Sequence, residues 1–354
     1  MEYIFDEVLE IKNGKNQKTV ENPKGKYPIY GSGGIMGYAD NYICEADTVI
    51  IGRKGSINNP IYVSEPFWNV DTAFGLSAKR ECLLPRYLFY FCKKFNFEKL
   101  NKTVTVPSLT KSDLLKIKIE LPDISIQKKV VDRLSKIEAI IERRKQELLL
   151  LDELIKARFV EMFGSPVSNP MFWKKRTLKE VCIKLNDGTH FSPESFETGE
   201  YKYVTAKNIK VTGFDFTNIT YVPEEVHRPI YERCNPELGD VLYIKDGATT
   251  GIAMVNTLEE EFTLLSSVAL LKQNRTIMNG YFLTTLLNNE DMYMDIRNNM
   301  GGAAITRLTI AKLNAIKVIV PPMELQKQFA DFVTQVNKSK LNKIATRWPA
   351  KAVA

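Results

Sequence analysis

Two short segments hold the residue types best suited to binding chemistry. Gly52-Arg53-Lys54-Gly55-Ser56 and Lys245-Asp246-Gly247-Ala248-Thr249-Thr250-Gly251 each follow an apolar run. Glycine lets a backbone approach a phosphate, and Lys or Arg supplies charge or a two-pronged contact to guanine. A hairpin turn with solvated charges would read the same in either segment alone. Recurrence in both places favours contact with a duplex through Arg53, Lys54, Gly55, Ser56, Lys245, Asp246, Gly247 and Thr249. Thr189, His190, Thr205, Lys207 and Asn208 join them as polar readers, since Asn can pair with adenine N6 and N7. His190 has no obvious Ser, Cys or metal partner in sequence, so it reads as a contact and not as a base or ligand.

Other chemistry is missing. Asn59-Pro60-Ile61-Tyr62 looks like a tetrapeptide that holds a flipped adenine, but the second proline is absent. Tyr30-Gly31-Ser32-Gly33-Gly34 looks like a cofactor loop, yet it precedes the Asn-Pro segment and lacks a strand-to-helix unit. Gly31 and Ser32 are better read as further duplex contacts. No G-x-x-x-x-G-K-[ST] segment is present for ATP. The five cysteines Cys44, Cys82, Cys92, Cys182 and Cys234 form no C-x-x-C pair, and His190 and His227 complete no zinc spacing. Free thiols, an N-terminus without a leader and no long apolar run suggest a cytoplasmic chain outside the membrane. The net charge of +7 and pI near 8.9 suit a surface that meets phosphates without proving one.

The elements that must position these residues occur twice. Leu109-Thr110, Pro122, Gln127-Lys128 and Asp132 align without a gap on Leu308-Thr309, Pro321, Gln326-Lys327 and Asp331. In each copy a short helical patch leads to a strand, a proline stops it, and an amphipathic helix begins. Gly14 matches Gly188, Tyr27 to Gly31 match Tyr201 to Thr205, and Asp47 to Gly55 match Asp240 to Gly247 with one residue dropped. A repeat near 200 residues is a domain duplication. The aromatic run Tyr87-Leu88-Phe89-Tyr90-Phe91 reads as a buried helix, matched by Tyr281-Phe282-Leu283.

Between the copies, residues 123 to 163 predict a ~38-residue helix, roughly 57 Å long. Val130, Leu134, Ile137, Ile141, Leu148, Leu151 and Ile155 trace a coiled-coil seam. Phe329, Val333 and Val336 offer a matching seam after Pro321-Pro322. Lys340 and Lys343 then interrupt it, and Trp348-Pro349 predicts the end of a helix half as long as the first. Leu148, Leu151 and Ile155 should therefore lack a partner within the chain. Self-association or tight dependence on another protein follows as an expectation.

This order of reader, helix, reader, helix resembles the specificity subunit of a type I restriction-modification system. The resemblance runs from the start to about Lys340. It rests on the doubled strand-Pro-x4-Gln-Lys entry, on Asp187-Gly188-Thr189-His190-Phe191-Ser192-Pro193, and on Tyr203-Val204-Thr205-Ala206-Lys207-Asn208-Ile209-Lys210. It implies a mixed α/β fold: two tandem target-recognition domains with twisted sheets, separated by long helices forming an antiparallel coiled coil. The divisions fall at 1–121, 122–163, 164–320 and 321–354. It also implies a non-catalytic chain without a cofactor, each domain reading half of a split site in double-stranded DNA. Two modification subunits would bring S-adenosylmethionine, and a restriction/translocase subunit ATP and Mg. A specificity subunit of a combined methylase/nuclease system, or a coiled-coil scaffold that never touches DNA, would share much of the pattern.

Overall fold

Uninterrupted apolar runs become strands covered on both faces. Thr48–Gly52 and Val241–Ile244 are buried at every residue and stand second from one edge of two four-stranded sheets. The computed structural model describes residues 1–103, 106–298 and 307–345, and Cα proximity divides the chain into units Met1–Arg143 and Arg144–Ala354.

In unit 1 the larger sheet runs Leu9–Asn13, Ala73–Ala78, Thr48–Gly52, Ile61–Val63, antiparallel throughout. A three-stranded sheet follows the order Gly34–Ala39, Tyr27–Gly31, Trp68–Asn69, the last pair parallel. Unit 2 repeats both. Its larger sheet runs Cys182–Asp187, Val268–Gln273, Val241–Ile244, Ala253–Val255. Its smaller one runs Thr220–Val222, Tyr201–Val204, Phe262–Leu264, again ending on a parallel pair. The registers agree toward the ends of the central strands, where Val49 faces Leu76 as Val241 faces Leu271 and Asn13 faces Phe74 as Asp187 faces Ala269; a shift between Cys182 and Lys184 occurs in unit 2 alone. Thr48 thus stands where unit 2 has Asp240, and left-handed Asp47 (φ +61°) where it has Gly239 (φ +85°), so the structure drops no residue here, against the sequence alignment. Each unit is closed by an antiparallel pair of distant strands, Glu2–Ile4 with Lys118–Glu120 and Lys175–Thr177 with Lys317–Ile319.

The doubled Pro-x4-Gln is a lock. Gln127 is fully buried; its amide donates to the carbonyls of Cys82 (2.8 Å) and Pro122 (2.9 Å) and accepts from Leu84 N–H (3.0 Å). Gln326 is equally buried and does the same with Ile277 (3.0 Å), Pro321 (2.8 Å) and Asn279 N–H (2.9 Å). The proline ends the strand, the glutamine sits in the first turns of the helix, and its amide ties that helix to the segment before Pro85–Lys94 or Gly280–Leu287. Leu88, Phe89, Phe282 and Leu283 are buried on those helices, as the aromatic run suggested. Phe67, Trp68 and Phe74 are buried too.

The long helix spans Ile124–Phe163, and Gly164, at φ +71°, stops it. The seam is shared out differently from the expectation. Beyond Val130 and Leu134, Ser135 and Glu138 meet Tyr90 of unit 1's own helix (3.0 and 2.8 Å), and Ile137 is 51% exposed. The last turns pair with the C-terminal helix Met323–Ala345 in antiparallel sense: Phe159 and Phe163 meet Phe329 edge to face, and Asp152 meets Lys340 at 2.5 Å. Ile155 packs against the same core as Phe329 and Val333, and Val336 is buried. Ile155 is thus covered within the chain, because the shorter helix reaches back as far as Asp152. Leu148 and Leu151 are half-buried, while neighbouring Leu149 and Leu150 are 65% and 67% exposed. Trp348-Pro349 lies outside the described residues, as does the side chain of Lys343. No helix among the described residues is long and apolar enough to cross a membrane.

Candidate nucleic-acid interface

In both units the candidate residues gather where the central strands end. Arg53 N–H donates to Thr72 (2.8 Å) and Arg53 C=O accepts from Leu109 N–H (2.9 Å). Lys245 repeats this with Ser267 (2.9 Å) and Leu308 (2.8 Å). Gly14 N–H reaches Ala73 and Gly188 N–H reaches Val268; Val70 N–H reaches Tyr30 and Leu265 N–H reaches Val204. Arg53 and Lys245 therefore hold one structural position, as do Gly31 and Thr205. Gly55 (φ +78°) and Gly247 (φ +105°) follow in the left-handed region that side chains disfavour. Ser32 lies against Gly52, which brings the first hairpin beside the Arg53 loop, and Ala206 N–H meets Ser267 Oγ at 3.3 Å in unit 2.

The side chains differ more than the backbones. Arg53, Lys54, Gly55 and Ser56 are exposed, with the Arg53 guanidinium 5.9 Å from the centre of the Phe74 ring. Lys207, Gly247 and Thr249 are exposed, His190 largely so, and Thr205 half-buried. Four expected contacts do not face solvent, and Gly31, buried at the end of strand Tyr27–Gly31, is the first. Lys245 is 2% exposed, its ammonium 2.7 Å from Asp246 and 3.4 Å from Asp187. Asn208 is buried; its Oδ1 accepts from Thr205 N–H and Oγ1 (3.0 Å each) and its Nδ2 donates to Asp215 C=O. It braces the turn and presents no free amide to a base. Thr189 is buried, its hydroxyl bonded to the Phe191 backbone.

Sequence reasoning missed the centre of this arrangement. Asp187, almost fully buried, meets Lys245, His190 (3.2 Å) and Arg233 (3.6 Å), and Arg233 also donates to Gly188 C=O. Arg307 adds an exposed cation 3.4 Å from Asp246. A depression of about 430 Å³ beside this cluster is lined by His190, Phe191, Glu225, Pro229 and Arg233 among others. Among the described residues no group of His, Cys, Asp and Glu is placed to hold a metal ion. Arg233 comes from helix Glu224–Arg233, which His227 fastens: buried, stacked 3.8 Å from Tyr201, its Nδ1 meets Thr263 at 2.8 Å and its Nε2 meets Glu261 at 3.2 Å.

Burial pushes the His227 pKa below its ordinary 6.5, and Glu261 offsets this only in part. The unfolded chain then binds the extra proton first, so unit 2 holds its full stability above about pH 6.5 and loses it as pH falls toward the folded value. Differential scanning calorimetry between pH 7 and 5 should show that loss, and His227→Gln should flatten it. An unchanged pH profile in the variant would remove His227 as its cause.

Residues 2–150 and 170–347 match the family described as type I restriction modification DNA specificity domain. The chain belongs to this family. It is 21% identical over 315 residues to the type I restriction enzyme MjaIX specificity subunit of Methanocaldococcus jannaschii, covering 82% of this chain and 70% of that one. It is 23% identical over 352 residues to the type I specificity subunit S.HindORF215P of Haemophilus influenzae, covering 91% and 83%. Among solved structures, the S subunit of a type I restriction-modification system from M. genitalium superposes with a TM-score of 0.63 at 18% identity, covering 98% and 91%. A second, from work on complex assembly and conformational transition of the type I R-M system, gives 0.54 at 17%, covering 98% and 93%. This type I specificity subunit thus shares the mixed, two-domain fold of those proteins.

Proposed function

We propose that this specificity subunit is a non-catalytic, two-headed reader of double-stranded DNA, each unit recognising one half of a bipartite target. The observation that carries the reading is the duplicated strand-end framework, with the same backbone bonds around Arg53 and Lys245 and different exposed side chains upon it. A shared frame with divergent tips suits two half-sites of different sequence. Ser32, Arg53, Lys54, Gly55 and Ser56 form the contact set of unit 1, with buried Gly31 behind them. His190, Thr205, Lys207, Gly247, Thr249 and Arg307 form that of unit 2, held in place by Thr189, Asn208, Lys245 and Asp246. Phosphate contacts place each unit, and groove contacts discriminate by about 1–3 kcal/mol per good bidentate pair.

The helices dock two modification subunits, which carry S-adenosylmethionine; a restriction/translocase subunit supplies ATP- and Mg-dependent cleavage. The exposed Leu149, Leu150 and Leu154 support docking on this stretch, since such apolar side chains gain when a partner covers them. Sedimentation of the chain alone distinguishes this from pairing between two copies.

Selection from a random duplex library, with and without a modification subunit, tests the reading. The expected product is two short fixed blocks around an unread gap, and grafting residues 164–320 from a relative should change one block only. Failure to select any motif in the presence of the partner would sink the proposal.

A further inference from the structure

The two matched strand ends combine one backbone with unlike electrostatics. Register and backbone bonding place Asn13, Arg53, Lys54 and Ser108 of unit 1 where unit 2 has Asp187, Lys245, Asp246 and Arg307. The last pair is fixed by the isolated bridges Lys54 with Ser108 and Asp246 with Arg307. Unit 1's set carries two positive charges and no negative one, whereas unit 2's set is neutral overall. Arg53 and Lys54 are exposed, and among the described residues neither forms an ion pair. In unit 2 every cation of the cluster has a carboxylate: Lys245 shares Asp187 and Asp246, Arg233 takes Asp187, and Arg307 takes Asp246.

We infer that the two units hold DNA by different physics: unit 1 is a salt-sensitive electrostatic anchor, while Asp187 and Asp246 neutralise the matching end of unit 2, making Lys245 a positioning residue instead of a phosphate ligand. The inference rests on the proposed DNA reading. A free surface cation that meets a phosphate releases a condensed counterion, so each such contact steepens the salt dependence of binding. A lysine already buried between two carboxylates releases none, and drawing it out would break both ion pairs. The choice between states is made at two matched positions, where Asn13 and Lys54 leave the neighbouring cation in solvent and Asp187 and Asp246 draw it in.

The test follows binding of the full chain to a fluorescein-labelled random-sequence duplex by anisotropy across a potassium chloride series. Arg53→Ala with Lys54→Ala should reduce the log–log salt slope by about 1.8, the equivalent of two phosphates. Asp187→Asn with Asp246→Asn, near-isosteric changes that give position 187 the residue of position 13, should steepen it by about 0.9 for Lys245, and by up to about 2.7 where Arg233 and Arg307 are freed with it. A structural defect would not steepen the slope. If circular dichroism shows that this pair does not fold, Asp246→Asn alone, at a partly exposed residue, is expected to steepen the slope in the same sense. An unchanged or shallower slope in the folded Asp variants, or an unaffected slope in the Arg53/Lys54 variant, overturns the asymmetry while leaving DNA binding intact. A wild-type chain that binds no duplex at any salt overturns the DNA reading and this inference together.

Discussion

Gln326→Ala should destabilise unit 2 by about 4 kcal/mol while leaving unit 1 close to its wild-type stability. The side chain is fully buried and its amide makes three hydrogen bonds to backbone groups. Truncation strands the Asn279 N–H and the carbonyls of Ile277 and Pro321, and each buried orphan costs about 1–3 kcal/mol. A cavity adds to this, because the surrounding segments are held by other bonds and collapse only in part. The sum is comparable to the whole stability of a small domain. Gln127→Ala should act on unit 1 in the same way, through Leu84 N–H and the carbonyls of Cys82 and Pro122. Urea unfolding monitored by hydrogen exchange in each unit reads the effect. A loss below about 1 kcal/mol would mean that water or relaxation satisfies the stranded groups.

Gly188→Ala should cost about 3 kcal/mol or more and remove one block of the selected DNA motif. A Cβ at this position would stand 1.9 Å from the Leu264 carbonyl oxygen and 2.2 Å from its carbon. Both are backbone atoms of the edge strand Phe262–Leu264, which pairs with Lys202 to Val204 and whose next residue, Leu265, bridges to Thr189, so no flexible side chain can give way. The strand or the segment after Asp187 must shift, which moves His190 off its partner. Gly14→Ala meets the Val70 carbonyl oxygen at 1.8 Å and should remove the other block. Gly33→Ala, with no atom within 4 Å of the new Cβ, is the matched control and should be nearly neutral. Thermal unfolding together with selection from the random library checks all three. Wild-type melting of Gly188→Ala would show that the strand moves cheaply, and the argument from close approach would fall.

The duplication was legible because its signals are local. Proline, glutamine and lysine at fixed spacing after a strand read the same from sequence as in space, and Gly14 with Gly188 marked a close approach that the fold then displays. The length of the long helix followed from Pro122 at one end and Gly164 at the other. What lay beyond sequence was partnership at a distance. Asp187 and Lys245 are 58 positions apart, and Arg233 arrives on a helix that has no counterpart among the described elements of unit 1. Arg53 and Lys245 look interchangeable in an alignment because their neighbours' charges are not seen meeting them. Asn208 did carry a local signal: Thr205-Ala206-Lys207-Asn208 has the spacing of a capping box, which engages the amide with its own turn. The seam through Ile137 was drawn from periodicity alone, which gives a face of the helix but not the neighbour that covers it.

The closing strand pairs bear on the order of folding. Glu2 pairs with Glu120 and Lys175 with Ile319, so each unit is sealed by contacts across more than a hundred residues of chain. Bringing such ends together costs about 4 kcal/mol in loop entropy before any reward, so these contacts form late. The glutamine locks lie just beyond the second strand of each pair, and they too wait for closure. The long helix therefore gains its N-terminal anchor, and the C-terminal helix its own, only when the preceding reader is finished. If the helices dock a subunit as proposed, that docking would select chains whose units have already folded, and assembly itself would act as proofreading.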